Sequence, residues 1–209
     1  MKKPVIFFDW DGTIADSMPL CIGEITLALE RMGLSVPPVE RLMACNGPTY
    51  EESVAVLGLP QERGEEFLRL RKEAEMELVP KVQRFFPGIR EMLDELLTFA
   101  DLVIVSNGLE EYLRLSARVM GVEDCFIRLQ AHIPGKTKAE ALGMLLSEMQ
   151  PEKCVMVGDR LGDISAGKVN GIPTVAACYG FGNEEEYRQA DYRADSAAEM
   201  TALLKKLLA

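Results

Sequence analysis

The 209-residue chain carries one histidine and one tryptophan, and aromatic residues make up only 7% of it. A lone histidine, His132, excludes a zinc centre assembled from several imidazoles. It reads as loop structure, with a contact at a substrate rim as the sharper alternative. Long apolar runs are missing too, and none approaches the ~20 residues that a bilayer span requires. Lys2 and Lys3 lead into only five apolar residues, too few for a signal peptide. Positive charge is scarce: 23 Lys and Arg against 33 Asp and Glu leave a net charge of −10. That balance argues against a nucleic-acid partner, which needs clustered basic residues. The five cysteines (Cys21, Cys45, Cys125, Cys154 and Cys178) are odd in number and never spaced C-x-x-C. Reduced, mostly buried thiols and a cytoplasmic location are the expectation. Internal repeats and low-complexity tracts are absent as well. The composition, 48% apolar and 27% charged, is that of a soluble globular protein, a monomer or homodimer, with no membrane partner. Its length suits one domain with an insertion, or two small ones.

What the chain does contain is alternation. Short β-rich runs at Val5–Phe8, Leu102–Val105 and Cys154–Val157 predict buried parallel strands, and Thr174–Ala177 a fourth. Helical periodicity fills the intervals: Ile89 to Leu97 after Pro87-Gly88, Glu110 to Met120 before Gly121, Ala139 to Met149, and Ala197 to Leu208. Strand and helix in turn predict an α/β fold, a doubly wound parallel sheet covered on both faces. From about Pro19 to Phe85 the pattern changes. Helical signals at Cys21–Met32, Val39–Ala44, Tyr50–Leu57 and Glu62–Val79 follow one another without a strand. Roughly sixty residues is too long for an irregular crossover. The expected organisation is an α/β core of residues 1–16 and 86–209, interrupted by a small α-helical domain of residues 17–85.

Ligands of open parallel sheets gather at the carboxyl ends of the strands. There the first strand meets Asp9-Trp10-Asp11-Gly12-Thr13, the second Ser106-Asn107-Gly108, and the third Gly158-Asp159-Arg160-Leu161-Gly162-Asp163. Alternation along an extended chain puts Asp9 and Asp11 on one side and turns Trp10 into packing on the other. Asp159 and Asp163, four apart across a strand-to-helix turn, can both be aimed into the cleft, although Asp163 alone would also serve as a helix cap. Four carboxylates in one pocket repel unless something offsets them. Mg²⁺ is the expected neutraliser, because it takes oxygen ligands and leaves room for water and substrate phosphate. Lysine is the second, and spacing leaves both Lys136 and Lys138 of "PGKTKAEAL" open. "GKT" echoes the end of a Walker A loop, but position 130 is Gln rather than Gly, which rejects a P-loop.

Asp-x-Asp-x-Thr, Ser-Asn, Lys and Gly-Asp-x-x-x-Asp, in this order, resemble the four motifs of the haloacid dehalogenase superfamily. "FFDWDGTIADS", "FFPGIREMLDELL", "NGPTYEES" and the stretch from "VMVGDRLGDISAGKVNGIPTV" onward look like its phosphoglycolate-phosphatase-like subfamily, over nearly the whole chain. About 97 positions separate the first two motifs, room for the helical cap that this resemblance implies. Only about 30 separate Ser106 from Lys138, too few for a second cap.

The resemblance implies a Mg²⁺-dependent phosphatase acting on a small phosphorylated metabolite. Asp9 would be the nucleophile, forming an aspartyl-phosphate, and Asp11 the general acid and then base. Asp9, the Asp11 backbone carbonyl and Asp159 would hold the metal, with Asp163 supporting from behind. Ser106 and the backbone N–H of Asn107, at the start of the next helix, would bind the phosphoryl oxygens. Among the lysines, "KAEAL" from Lys138 looks more like the family's helix start. Gly47, Pro48 and Thr49 would belong to the cap loop that selects the leaving group, a plain turn with a cap at Thr49 being the alternative. Phosphoglycolate, pyrophosphate, a nucleotide or a sugar phosphate all fit this reading. A phosphomutase of the same family would want a histidine in the helical block, which has none. A non-catalytic phosphoacceptor module would need neither the helical insertion nor the second acid of the first motif.

Overall fold

The computed structural model describes residues 2–209, so Met1, where the expected core segment 1–16 begins, lies outside the described residues. The chain opens with strand β1 (Val5–Phe8) and then leaves the sheet for four helices: α1 (Met18–Arg31), α2 (Val39–Met43), α3 (Tyr50–Leu57) and α4 (Gly64–Val82). It returns through α5 (Ile89–Leu96), β2 (Asp101–Val105), α6 (Glu110–Val119), β3 (Arg128–Gln130) and α7 (Lys138–Met149). It finishes with β4 (Cys154–Gly158), α8 (Leu161–Val169), β5 (Thr174–Ala177), α9 (Glu184–Tyr187), β6 (Tyr192–Ala194) and α10 (Ala197–Leu208). The six strands form one sheet in the order β3-β2-β1-β4-β5-β6, every pair parallel.

The apolar strand runs are explained by burial on both faces. Ile6 and Phe8 join Ile104, Val157 and the inner sides of α5, α6 and α10 in one cluster. Val5 and Phe7, one residue out of phase, join Val103, Met156 and the faces of α7 and α8 on the other side. The order reverses between β1 and β4: from β1 the chain builds outward to β2 and β3, then crosses to β4 on the other flank. Such a reversal opens a crevice at the strand ends, and Asp9 and Asp159 stand one on each side of it.

The block between β1 and α5 has its own core, in which Ile25 and Leu29 of α1 meet Leu42, Leu57 and Phe67. The two connecting segments run side by side, with Asp16 N–H donating to the Arg84 carbonyl at 3.0 Å and the Arg84 guanidinium 2.6 Å from the Asp16 carboxylate. Several helix bounds differ from the sequence expectation by one or two residues, and two differ by three. Helix α1 starts at Met18 because Pro19 sits in its first turn, where a missing N–H leaves nothing unpaired. Helix α4 continues past Pro80 to Val82, because a proline in the final turn forfeits little more than one backbone bond. Strands β3 and β6 have no counterpart in the expected elements. Each is three residues long, at or beside a sheet edge, and too polar to show a strand period.

Candidate active site

Strand β1 ends where Asp9 begins to bond locally: its Oδ1 accepts the N–H of Trp10 at 2.8 Å. Trp10 is fully buried, stands edge-on to Phe126, and donates its indole N–H to Ser116 at 3.0 Å, so the turn behind Asp9 is anchored in the core. Gly12 follows with φ +82°, and a Cβ there would fall 2.2 Å from Asp159 Oδ2. Only glycine allows both that backbone and that approach of the β4 tip.

The carboxylates converge. Oxygens of Asp9, Asp159 and Asp163 lie within 4.8 Å of one another, all three side chains buried. Lys138 Nζ bridges two of them, 2.9 Å from Asp9 Oδ1 and 2.6 Å from Asp163 Oδ1. Asp163 Oδ2 accepts the Arg160 N–H at 3.0 Å, at the N-terminus of α8. Asp159 accepts from the Thr13 hydroxyl at 3.2 Å and the Phe181 N–H at 2.8 Å. Burial, followed by the charge of Asp163, pushes Asp9 well above the usual carboxylate range, with Lys138 pulling back. The same two causes raise Asp159 to about 7. Burial alone would lower the Lys138 ammonium, but Asp163 and Asp9 reverse this and hold it protonated. Three carboxylates against one ammonium make an all-oxygen donor set with excess negative charge, which fits a hard divalent cation.

Asp11 is engaged elsewhere. Its Oδ1 accepts the Tyr112 hydroxyl at 2.5 Å, and burial raises its pKa from the ordinary value, the Ser17 and Tyr112 hydroxyls offsetting part of the shift. Burial and the Asp11 charge keep the Tyr112 phenol neutral, so it serves as a fixed donor. Asp9, Asp11, Ser106 and Lys138 line a cavity of about 50 Å³ between the strand tips and the helical block. Asp159 and Asp163 lie behind that wall, fully buried.

The other expected residues divide. Ser106 is buried at the β2 tip and accepts the Gly108 N–H at 3.0 Å. Asn107 corrects the sequence reading: α6 begins at Glu110 with Leu109 as its cap, so the Asn107 N–H is not the start of a helix. Its side-chain amide instead donates to the Gly47 carbonyl at 3.1 Å. Lys138 opens α7 after the Thr137–Glu140 capping box, while Lys136 is exposed in the turn before it. His132 is a loop residue whose N–H donates to the Gly108 carbonyl, and it does not line the cavity. Gly47 and Pro48 line the cavity. Thr49 does not: it caps α3 by accepting the Glu52 N–H at 3.3 Å, and Glu52 returns a bond to the Thr49 N–H.

Tyr50, within the "NGPTYEES" stretch, faces the cavity from the helical side. Several other wall residues were not singled out from sequence: Glu24, Arg71 and Glu75 on the helical side, and Tyr112 on the core side. Arg160 Nη1 reaches across to the Asn46 carbonyl at 2.9 Å. A signal did exist: Glu24 interrupts the apolar stripe Cys21, Ile25, Ala28, and Arg71 and Glu75 interrupt the stripe Phe67, Leu70, Ala74. Charges on a core-facing stripe mark a paired cluster or a site.

A sheet reversed at β1/β4, with acids at both tips and a lysine between them, is the frame of a phosphoryl-handling hydrolase. The chain belongs to the haloacid dehalogenase-like hydrolase family, whose model matches residues 6–177. It is 28% identical to a 5'-nucleotidase of Pseudomonas aeruginosa over 95% of this chain and 94% of that one. It is 29% identical to a phosphoglycolate phosphatase of Xylella fastidiosa, over 96% and 91%. Its fold matches that of a haloacid dehalogenase-like hydrolase from Streptococcus pneumoniae with a TM-score of 0.88, at 24% identity over 97% and 98% of the two chains.

Proposed function

We propose that the chain hydrolyses a small-molecule phosphomonoester with Mg²⁺, through an aspartyl-phosphate on Asp9, in the manner of a phosphoglycolate phosphatase. It is a phosphoric monoester hydrolase of this family. The observation that carries the reading is the meeting of Asp9, Asp159 and Asp163 around Lys138 beneath the cavity. Both hydrogen bonds to Asp9 fall on Oδ1, which leaves Oδ2 to attack phosphorus. The new bond joins this oxygen to phosphorus as the bond to the departing alcohol oxygen breaks. Asp11, raised in pKa and oriented by Tyr112, gives that alcohol its proton and then takes one from the water that splits the acyl phosphate. Lys138 neutralises the phosphoryl group and holds Asp9 in place, and Asp163 holds Lys138. Ser106 donates to a phosphoryl oxygen. Asp9, Asp159 and the Asp11 carbonyl would hold Mg²⁺, which when bound would shield the charge of the transferring group.

Residues 17–85 act as a cap over this site, latched by Arg160 on Asn46 and by Asn107 on Gly47. Release of these bonds opens the cavity, and their closure excludes water. Five free cysteines support a cytoplasmic setting, and among the described residues no helix is long and apolar enough to cross a membrane. Purified protein should hydrolyse p-nitrophenyl phosphate with Mg²⁺, stop with EDTA, and recover with excess Mg²⁺. Asp9→Asn should reduce turnover to background; activity retained in that variant would reject the nucleophile.

A further inference from the structure

The loop that follows β5 reads Cys178-Tyr179-Gly180-Phe181-Gly182, aromatic residues alternating with glycines. The phosphoryl chemistry uses none of its side chains. The glycines lie against the strand tips. A Cβ on Gly180 would stand 2.2 Å from the Gly12 carbonyl oxygen and 2.4 Å from Asp159 Cβ, and one on Gly182 would stand 2.0 Å from the Asp159 carbonyl oxygen. No side chain fits in either gap, so glycine lets the loop press directly onto the ends of β1 and β4. The aromatics meet Phe86, whose ring centre lies 5.4 Å from that of Tyr179 at 62° and 5.6 Å from that of Phe181 at 52°. Phe86 belongs to the segment by which the chain re-enters the core, next to Phe85, whose backbone bridges Ala15.

This loop has little else to hold it. Between Cys178 and Gly182 only the N–H groups of Cys178 and Gly180 bond to backbone carbonyls among the described residues. Yet it helps to fix the Asp159 carboxylate. Asp159 Oδ1 accepts the Thr13 hydroxyl at 3.2 Å, and Oδ2 accepts the Phe181 N–H at 2.8 Å. Each of these two donors is tied to the aromatic group. The Thr13 carbonyl accepts the Tyr179 hydroxyl at 3.2 Å, and the ring of Phe181 rests on Phe86. A small octahedral cation demands a carboxylate held at a fixed angle. Partners behind a metal ligand typically change affinity by about 10–100-fold.

We propose that Phe86, Tyr179 and Phe181 form an aromatic clasp that positions Asp159 for a divalent cation, and so sets the affinity of the site without touching metal or substrate. This role rests on the reading of Asp159 as a Mg²⁺ ligand. A clasp that served stability alone would change how firmly the chain folds and leave the affinity of the folded protein as it was.

Calorimetric titration of the purified protein with Mg²⁺, without substrate, separates the two. Thr13→Val removes the hydroxyl that faces Asp159 and should weaken Mg²⁺ binding about 10–100-fold. Phe86→Leu keeps apolar bulk but takes one ring from both stacks, and should weaken binding about tenfold. Tyr179→Phe keeps its ring and loses only the bond to Thr13; it should weaken binding severalfold, and it keeps the test usable if Phe86→Leu does not fold. Leu204→Val, in the core beneath α10, lowers the thermal midpoint away from the site and should leave Mg²⁺ affinity unchanged. Thermal melts at one fixed Mg²⁺ concentration should show the metal's stabilisation shrinking in the same order. Affinity kept in Phe86→Leu and Tyr179→Phe while Thr13→Val loses it, or an equal loss in Leu204→Val, would overturn the clasp. No Mg²⁺ binding by the unaltered protein, or undiminished binding by Asp159→Asn, would remove the reading of Asp159 as a metal ligand, and the clasp with it.

Discussion

On the sheet side of the cavity Asp9, Asp159 and Asp163 gather and Lys138 bridges the first and the last; on the helical side Arg71 pairs with Glu24, and Glu75 lies one turn further along α4. Both clusters are buried, and in both the acids outnumber the cation. Their surroundings differ. Asp9 and Asp159 directly follow the ends of β1 and β4 and Asp163 lies in the first turn of α8, where backbone amides such as those of Arg160 and Phe181 already stabilise negative charge. Oxygen atoms from separate strands are gathered there at a spacing a small cation can span. The glutamates sit mid-helix on α1 and α4, whose backbone groups are used up within the helices, so only side chains are left to compensate them. Excess charge on loops at strand ends can be met by a metal. Excess charge between helices is met by a retained proton or by a ligand's own hydrogen bonds.

The largest effect should separate chemistry from recognition. Asp11→Asn should lower kcat roughly 10²–10⁴-fold, with the urea unfolding midpoint little changed. Glu24→Gln, on the opposite wall, should act mainly on KM. A kcat loss in Glu24→Gln as deep as that of Asp11→Asn would erase the distinction between the walls. Next comes the helical cation. Arg71→Met leaves both glutamates without a counter-charge and should cost about 3–5 kcal/mol of unfolding free energy at mildly alkaline pH, measured by urea denaturation. A loss below about 1 kcal/mol would mean that the acids are neutralised by protons alone.

The smallest effect is in the pH dependence of stability. Glu24 is raised from an ordinary 4.5 to about 7 by burial, with Arg71 opposing, and Glu75 is raised well above its ordinary value by burial and the Glu24 charge. A carboxyl whose folded-state pKa exceeds its unfolded value binds its proton more tightly when folded. Its contribution is complete below about 4.5 and fades as pH rises through about 7. Thermal melts across that interval should show declining stability, and Glu75→Gln should make the decline shallower. An unchanged slope would assign it to the aspartates instead.

How far each side could be read from sequence follows from the same contrast. The strand tips were legible because each is a local event, an apolar run that stops at an acid, and parallel strands that share an edge must bring such ends together. The covering helices announced themselves by period, and α3, β1, β5 and α10 fall where periodicity put them. The short polar strands β3 and β6 were not visible, since their only definition is pairing with a neighbour. Lys138 over Lys136 was open in the spacing and was decided by which side chain reaches Asp9 and Asp163.

By itself the sequence determined the α/β alternation, the helical interruption and the acids at the end of each buried strand, because all of these are written in the period and termination of short segments. Only the tertiary structure decided that Tyr112 holds Asp11, that Arg160 and Asn107 reach the Asn46–Gly47 backbone, and that Arg71 meets Glu24 beside Glu75 on the helical wall of the cavity. A helical period states which face of an element is buried. What lies opposite that face depends on how distant elements pack, and no local pattern records it.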